Sequence, residues 1–326
     1  MGVPVLCLRP EADFQRVDAL APASLQVSYR TFGDGDVPKL MKESRGLVIP
    51  AVGPPLPVSL FEGTTVKFVQ VTGAGLDRLD LAYLKKQGIA VANVPGGSNS
   101  AVAEYVVTAA SVLLRRFAWA NGEIRAGNYR EYRARVLAEN LAGLDGLVAG
   151  IVGFGTIGVA VAESLYQRGC SILYYDPAPR DMQAAAKLNA HGVSLEELLQ
   201  TADVVTLHLP LLESTQRLVD AKQLKQMKAD AVLIQTSRGG IVDEVALADC
   251  LSTGKIAGAA VDVYSEEPPP PNHPLLALHG EAAKRLLLTP HIAGVTRQST
   301  RLLCRKAWEN VHRVLVENQA PLHNAF

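Results

Sequence analysis

LVAGIVGFGTIGVAVAESLYQRGCSILYYD, residues 147–176, runs an apolar strand into a glycine turn, a helix-period segment and a second strand that closes on an acid. Gly153, Gly155 and Gly158 stand at GxGxxG spacing directly after the first strand and open the helix. The first glycine permits the tight turn, the second lets backbone approach a pyrophosphate, and the third lets helix and strand pack closely. An anion placed there meets the free N–H groups of a helix amino end. Asp176 lies eighteen residues beyond Gly158, where it would accept hydrogen bonds from an adenosine ribose and repel an added phosphate. The segment therefore reads as a site for NAD in preference to NADP, with Arg180, four residues past the acid, leaving some tolerance for NADP. A glycine-rich turn in an ordinary βαβ unit would explain the glycines, but not strand, turn, helix and acid together.

Outward from this segment the same alternation continues. DVVTLHL, AVLIQT, IAGAAVDV and RLLLTP follow as strands, a doubly wound set. Before it, Val3–Leu8, Leu47–Ile49, Val66–Val71 and Ile89–Asn93 read as short buried strands with a helix at Leu79–Lys86, which makes one smaller sheet domain. Residues 101–116 give a long apolar helix ending at Arg115 and Arg116, a candidate linker between domains. A helix from about Gln298 to Val316 closes the chain and is expected to return to the first domain. Such runs of Val, Ile and Leu between helices belong to parallel sheets covered on both faces, so the class is α/β. Pro268–Pro271 reads as a stiff, extended connector.

The 326 residues suffice for about two domains. Lysine plus arginine and aspartate plus glutamate both number 32, so the net charge gives no reason to expect nucleic acid or an anionic membrane as partner. The longest uncharged run, Gly146–Ala162, is too short for a membrane span and holds five glycines. No basic segment precedes an apolar stretch at the amino terminus, so a cytoplasmic protein is expected. Cys7, Cys170, Cys250 and Cys304 are scattered and form no CxxC pair, which favours reduced thiols and no metal site.

The strands of the second domain end in polar or titratable groups: Asp176, His208, Arg238 just past Gln235–Ser237, Asp262, and His291 after Thr289-Pro290. Ligands of open parallel sheets bind outside the carboxyl ends of the strands, so these five groups converge on one cleft. Each has a bland reading alone, an Arg238–Asp262 ion pair or a structural histidine, and the bland readings weaken together. Arg238 can grip a carboxylate or carbonyl with its planar fork. His291 can exchange a proton with a carbonyl oxygen as hydride arrives at carbon. A nearby carboxylate, Glu267 in preference to Glu266, would fix the imidazole tautomer and favour the imidazolium.

These motifs resemble the D-isomer-specific 2-hydroxyacid dehydrogenases. Val152–Gly158, His208-Leu209-Pro210, Ser237-Arg238-Gly239 with Val242-Asp243-Glu244, Gly258–Val263 with Glu266-Glu267-Pro268, and Thr289-Pro290-His291 follow the family order. Gly73-Ala74-Gly75-Leu76-Asp77 and Asn93-Val94-Pro95-Gly96 match in the first domain, so the resemblance spans nearly the whole chain. It implies a Rossmann-type NAD domain at 100–294 and a smaller flavodoxin-like substrate domain at 1–99, completed by 295–326. It implies that Arg238 binds a 2-oxo acid, that His291 is the acid/base and that Glu267 supports it. Gly153, Gly155, Thr156, Ile157, Gly158, Asp176, His208, Pro210, Thr236, Arg238, Asp262, His291 and Gly294 would bind the cofactor, with Asp262 on the nicotinamide carboxamide. Ala74 and Gly75, with Arg238 and His291, would hold the substrate where the two domains close over it. A homodimer is implied, with residues about 100–145 in the interface, although the arginines at 125, 130, 133 and 135 would also suit a solvated loop.

Departures narrow the expectation. Glu267 argues against the formate dehydrogenase branch and Ala74 against the phosphite dehydrogenase branch. Leu47–Pro54 lacks the basic residue of the 3-phosphoglycerate dehydrogenases, and 326 residues leave no room for their regulatory domain. Gln235 and Thr156 replace a commoner asparagine and arginine. The expected activity is NADH-dependent, reversible reduction of a small 2-oxo acid, such as glyoxylate or hydroxypyruvate, to the D-2-hydroxy acid. The competing reading is an NAD(H)-sensing adapter resembling the C-terminal binding corepressors. A Rossmann methyltransferase is poorly supported because it needs neither Arg238 nor His291.

Overall fold

Runs of consecutive branched aliphatic residues do not alternate faces, so the strands they form must be covered on both sides. The chain meets that demand with two parallel sheets. The computed structural model describes residues 2–178 and 182–326. It divides into two compact units, one made of the residues up to Ser98 with Val295–Phe326, the other of Asn99–Gly294.

In chain order the first unit holds β1 (Val3–Cys7), α1 (Glu11–Gln15), β2 (Leu25–Tyr29), α2 (Val37–Glu43), β3 (Gly46–Ile49), β4 (Phe68–Val71), α3 (Leu81–Lys86) and β5 (Ala90–Ala92). The sheet order β2-β1-β3-β4-β5 is the flavodoxin-like doubly wound order. β2, α1 and α2 are additions to the sequence reading. β2 (LQVSY) sits at the sheet edge, where its half-covered position permits Gln26 and Ser28 and breaks the apolar run that marks central strands.

The second unit begins with α4 (Asn99–Arg115), α5 (Phe117–Arg125) and α6 (Tyr129–Glu139). The arm of about 100–145, whose arginines would also suit a solvated loop, is thus helical at 99–115, 117–125 and 129–139, and α4 belongs to the second unit. Val102, Val106, Ala109, Ala110 and Leu113 bury one face of α4 in this unit's core together with Val161 and Leu165. Then come β6 (Val148–Val152), α7 (Thr156–Tyr166), β7 (Ser171–Tyr175), α8 (Met182–Lys187), β8 (His191–Gly192), α9 (Leu195–Thr201), β9 (Val204–Leu207) and α10 (Ala221–Gln226). β10 (Val232–Gln235), α11 (Glu244–Ser252), β11 (Gly258–Val261), α12 (Gly280–Ala283) and β12 (Leu286–Leu288) complete it. The order β12-β11-β10-β9-β6-β7-β8 places the two half-sheets either side of β6, with β9, β10 and β11 buried throughout. That reversal at β6 is the crevice where open α/β sheets bind ligands.

From Val295 the chain belongs again to the first unit, as α13 (Arg297–Leu315). Thr296 caps it in a reciprocal capping box with Ser299. Trp308, 2% exposed, packs on Phe14 at 5.2 Å between ring centroids. The Asn310 side-chain amide donates to the buried Gln70 Oε1 of β4 at 2.6 Å and to Leu322 O at 3.2 Å, and its Oδ1 accepts Leu322 N at 2.8 Å. The closing helix is therefore part of that unit's core.

Candidate active site

The three glycines after β6 serve three different ends. Gly153 has φ +98°, and a Cβ there would stand 2.8 Å from the carbonyl carbon of His208. At Gly158 an added Cβ would lie 1.9 Å from the Gly153 carbonyl oxygen, so helix and turn touch through the missing side chain. Gly155 is different: it is the N-cap of α7, no side chain caps it, and nothing lies within 4 Å of its would-be Cβ. The first turn of α7, at Thr156, Ile157 and Gly158, therefore presents uncapped N–H groups beside open space, the arrangement that receives phosphate.

Asp176, after β7, accepts from Phe154 N at 2.7 Å and from Ala178 N at 2.9 Å. Its carboxylate thus closes on the glycine loop itself, while keeping the position at the strand end expected of a ribose acceptor. Arg180 lies outside the described residues. Asn99, at the start of α4, donates to Thr156 O at 3.1 Å.

On the other side of β6, His208 follows β9. Burial pushes its imidazole down to about 3, so the ring stays neutral. Its Nε2 meets Thr206 Oγ1 at 2.9 Å. Its Nδ1, with Thr236 Oγ1 after β10 and Asn99 Oδ1, is buried and has no partner among the described residues. Unpaired buried polar atoms are costly, and these three, on Asn99, His208 and Thr236, suit a polar ligand that would pair them. The residues present therefore fit a dinucleotide. Pro210 acts through its carbonyl, which accepts Thr215 Oγ1 at 2.6 Å and holds the loop beyond β9. Gly294 is the last residue of this unit.

The loops after β10, β11 and β12, neighbours in the sheet, carry Arg238, Glu267 and His291. Arg238 is partly buried; its Nη1 donates to Ser237 O at 2.7 Å, and its own carbonyl accepts Gln235 Nε2 at 2.9 Å. His291 Nδ1 stands 2.8 Å from Glu267 Oε2, with side chains 24% and 29% exposed, and Glu267 Oε1 accepts Tyr264 N at 3.1 Å. A carboxylate only accepts, so Nδ1 carries the proton in the neutral ring. His291 Nε2 is left for a further partner. His291 takes a left-handed backbone, φ +55°, a strain of the kind that concentrates at functional sites when its surroundings enforce it.

Asp262 is what enforces it. The residue is 1% exposed; its carbonyl accepts His291 N at 2.8 Å, Oδ1 accepts Ile292 N at 2.8 Å and Oδ2 accepts Ala293 N at 2.8 Å. Thr289 Oγ1 donates to the same Oδ1 at 2.5 Å, which leaves the Tyr105 hydroxyl to donate to Thr289 Oγ1 at 2.6 Å. Tyr264 OH also reaches Thr289 O at 3.0 Å. Burial pushes both phenols, Tyr105 and Tyr264, up to about 12, so they remain protonated donors. The sequence reading gave Asp262 a cofactor role and missed this clasp along with Tyr105, Thr289 and Tyr264. The available signal was Tyr105 itself, a phenol on the apolar face of α4 whose hydroxyl requires a buried partner.

In the first unit, the loop after β4 holds Ala74 exposed and Gly75 partly exposed. Asn93 Nδ2 donates to Ala74 O at 2.7 Å and Val94 N to Gly73 O at 2.8 Å, so the loop is pinned from the end of β5. Arg78, 5% exposed, reaches from that loop to Pro54 O at 2.9 Å and Pro50 O at 3.0 Å. Among the described residues no group of three or more His, Cys, Asp or Glu side chains could hold a metal ion, and no helix is long and apolar enough to cross a membrane.

Residues 107–293 match the family described as D-isomer specific 2-hydroxyacid dehydrogenase, NAD binding domain. A glyoxylate reductase of Thermofilum pendens is 36% identical over 257 residues, which cover 78% of this chain and 74% of that protein. An (S)-sulfolactate dehydrogenase of Chromohalobacter salexigens is 36% identical over 243 residues, covering 74% and 75%. The crystal structure of a D-lactate dehydrogenase from Treponema pallidum superposes with a TM-score of 0.80 at 28% identity, covering 99% of both chains.

Proposed function

The chain belongs to the D-isomer specific 2-hydroxyacid dehydrogenases, and from that premise we propose that this NAD-dependent oxidoreductase reversibly reduces a small 2-oxo acid, of the glyoxylate or hydroxypyruvate kind, to its D-2-hydroxy acid. The nicotinamide, when bound, supplies or accepts the hydride at the substrate C2. The glycine loop, Thr156, Ile157 and Asp176 hold its dinucleotide, with His208, Pro210, Thr236, Asp262 and Gly294 along the same strand ends. Arg238 grips the substrate carboxylate and carbonyl through its fork, and Ala74 and Gly75 offer backbone N–H groups to the carboxylate. His291 gives its Nε2 proton to the carbonyl oxygen in reduction and takes it back in oxidation. Glu267 keeps Nδ1 protonated, so that Nε2 faces the reaction, and stabilises the positive ring.

The observation that carries this reading is the Nδ1 contact of 2.8 Å between His291 and Glu267. It joins two residues 24 positions apart, on loops that follow neighbouring strands. The test is NADH consumption on addition of a panel of 2-oxo acids, repeated with NADPH. Turnover with NADH on a small 2-oxo acid is expected. Inactivity across the panel with NADH still bound would sink the enzyme reading and favour a dinucleotide-sensing adapter.

The proposal extends to a cytoplasmic homodimer. Phe117, Ile124, Tyr129 and Leu137 of α5 and α6 are 47–66% exposed, an apolar set that a second copy would cover. Cys7, Cys170, Cys250 and Cys304 are all free and buried, as in a reducing compartment. Light scattering after size exclusion should give twice the mass of 34.8 kDa.

A further inference from the structure

Behind the Glu267–His291 pair stands a second carboxylate–imidazole pair to which the reaction assigns no role. His273 is 4% exposed, and its Nε2 lies 2.9 Å from Glu244 Oε2. Leu275 N donates to His273 Nδ1 at 3.3 Å. A ring nitrogen that accepts carries no proton, so Nε2 holds the hydrogen and donates it to Glu244. Glu244 accepts twice more, from Ser265 N at 2.7 Å and from Ser265 Oγ at 2.5 Å.

Ser265 and His273 are the two legs of the loop that bears Glu267. One carboxylate therefore grips that loop before and after the residue that touches His291. Glu244 is itself the first residue of α11, six positions after Arg238. Gly239 closes the opposite side, because a Cβ there would lie 1.8 Å from the Tyr264 carbonyl oxygen. Any shift of Ser265 passes to Tyr264, whose N–H is bonded to Glu267 Oε1. Apolar residues of similar volume would hold a buried loop at least as firmly. What three directional bonds to one carboxylate add is a fixed position.

We propose that Glu244 is a positioning residue for the reaction, tying the loop of Glu267 to the segment of Arg238 and so aiming the Glu267 carboxylate at His291 Nδ1. The inference rests on the acid–base assignment of Glu267 and His291. Glu244→Gln is the direct test, because its amide group replaces an acceptor with a donor facing at least one of the three donors. Ser265→Ala is a milder second variant that deletes one bond and leaves the carboxylate. Both are compared with the wild type, Glu267→Gln and the double variant. Misplacing a catalytic group lowers turnover steeply, so Glu244→Gln should reduce kcat about 10- to 100-fold. KM for the 2-oxo acid and the Kd of NADH should stay within about twofold, as uniform binding is untouched. Added to Glu267→Gln, the substitution should cost nothing further, since it acts through the group already removed. In the protein labelled with 15N-histidine at alkaline pH, His291 should be the Nδ1–H tautomer in the wild type and a tautomer mixture in Glu244→Gln.

An unchanged kcat with an unchanged His291 tautomer would overturn the proposal. So would a full additional loss in the Glu267→Gln background, or a loss of NADH affinity in step with kcat. Should the wild type consume no NADH with any 2-oxo acid, the functional reading fails on its own. The tautomer comparison then still decides for or against Glu244.

Discussion

At the scale of single residues, two histidines on the same row of strand ends show how surroundings divide one side chain into two roles. His291 is partly exposed and its Nδ1 is bonded to a carboxylate, leaving Nε2 for the proton transfer proposed above. Replacing it by alanine should lower kcat by about 10²- to 10⁴-fold, the usual worth of a general acid. Fluorescence titration should find NADH affinity near the wild-type value. His208, partly buried and held at about 3, cannot donate a proton at neutral pH. It leaves its mark on stability. The unfolded chain binds a proton on this histidine below about pH 6.5, and the folded chain does not until about pH 3. The unfolded state therefore holds more protons in that window, and stability is lost as pH falls through it, by at most about 1.4 kcal/mol per pH unit. Above about pH 6.5 the contribution is complete. His208→Gln should remove this dependence, so that between pH 7 and pH 5 it loses up to about 2 kcal/mol less than the wild type in urea unfolding. Equal losses in the two proteins would place the acid sensitivity elsewhere.

At the scale of elements, the glycine turn separates stability from ligand binding. The backbone at Gly155 has φ −82° and open space at its Cβ position. Alanine should be accepted there with little change in Tm, while its methyl group would stand where the proposed phosphate approaches, and calorimetry should record weaker NADH binding. Alanine at Gly158 meets the Gly153 carbonyl oxygen at 1.9 Å, so helix and strand must part; overpacking of this kind costs about 1–3 kcal/mol or more and should appear as a lowered Tm. The same turn was the most legible part of the sequence, because its glycines obey contacts only a few residues away. The strand ends were legible for the same reason: Arg238, Asp262 and His291 each follow an apolar run that fixes where the strand stops. The clasp of Asp262 was not. Its donors, Thr289, Ile292 and Ala293, sit 27 to 31 residues away, and backbone N–H groups leave no mark on a sequence. The edge strand β2 was missed because a half-covered strand tolerates polar residues.

At the scale of the whole molecule, the notable feature is a first unit assembled from two distant pieces of chain. Its buried clusters draw on residues from Val5 to Ala92 and from Cys304 to Val311, whereas those of the second unit draw on Val102 to Ala293. Trp308 is the largest side chain the closing helix contributes, sharing a cluster with Val5, Cys7, Phe14, Val48 and Phe68. Truncating a buried tryptophan to alanine costs about 3–5 kcal/mol, and in Trp308→Ala that loss falls on the first unit, where Ala74 and Gly75 reside. The residues proposed to hold the dinucleotide lie in a unit with its own core. Nucleotide bound only to that folded core adds about 2.7 kcal/mol of stability at a concentration 100 times its Kd. Trp308→Ala should therefore unfold its first unit at lower temperature and lose turnover at that point, while still binding NADH with the wild-type Kd at 20 °C and gaining stability in its second unit from added NADH. Circular dichroism melts with and without NADH, set beside a fluorescence titration, measure each quantity separately. Loss of NADH binding in the variant at temperatures where the first unit is still folded would mean that the two cores do not stand independently.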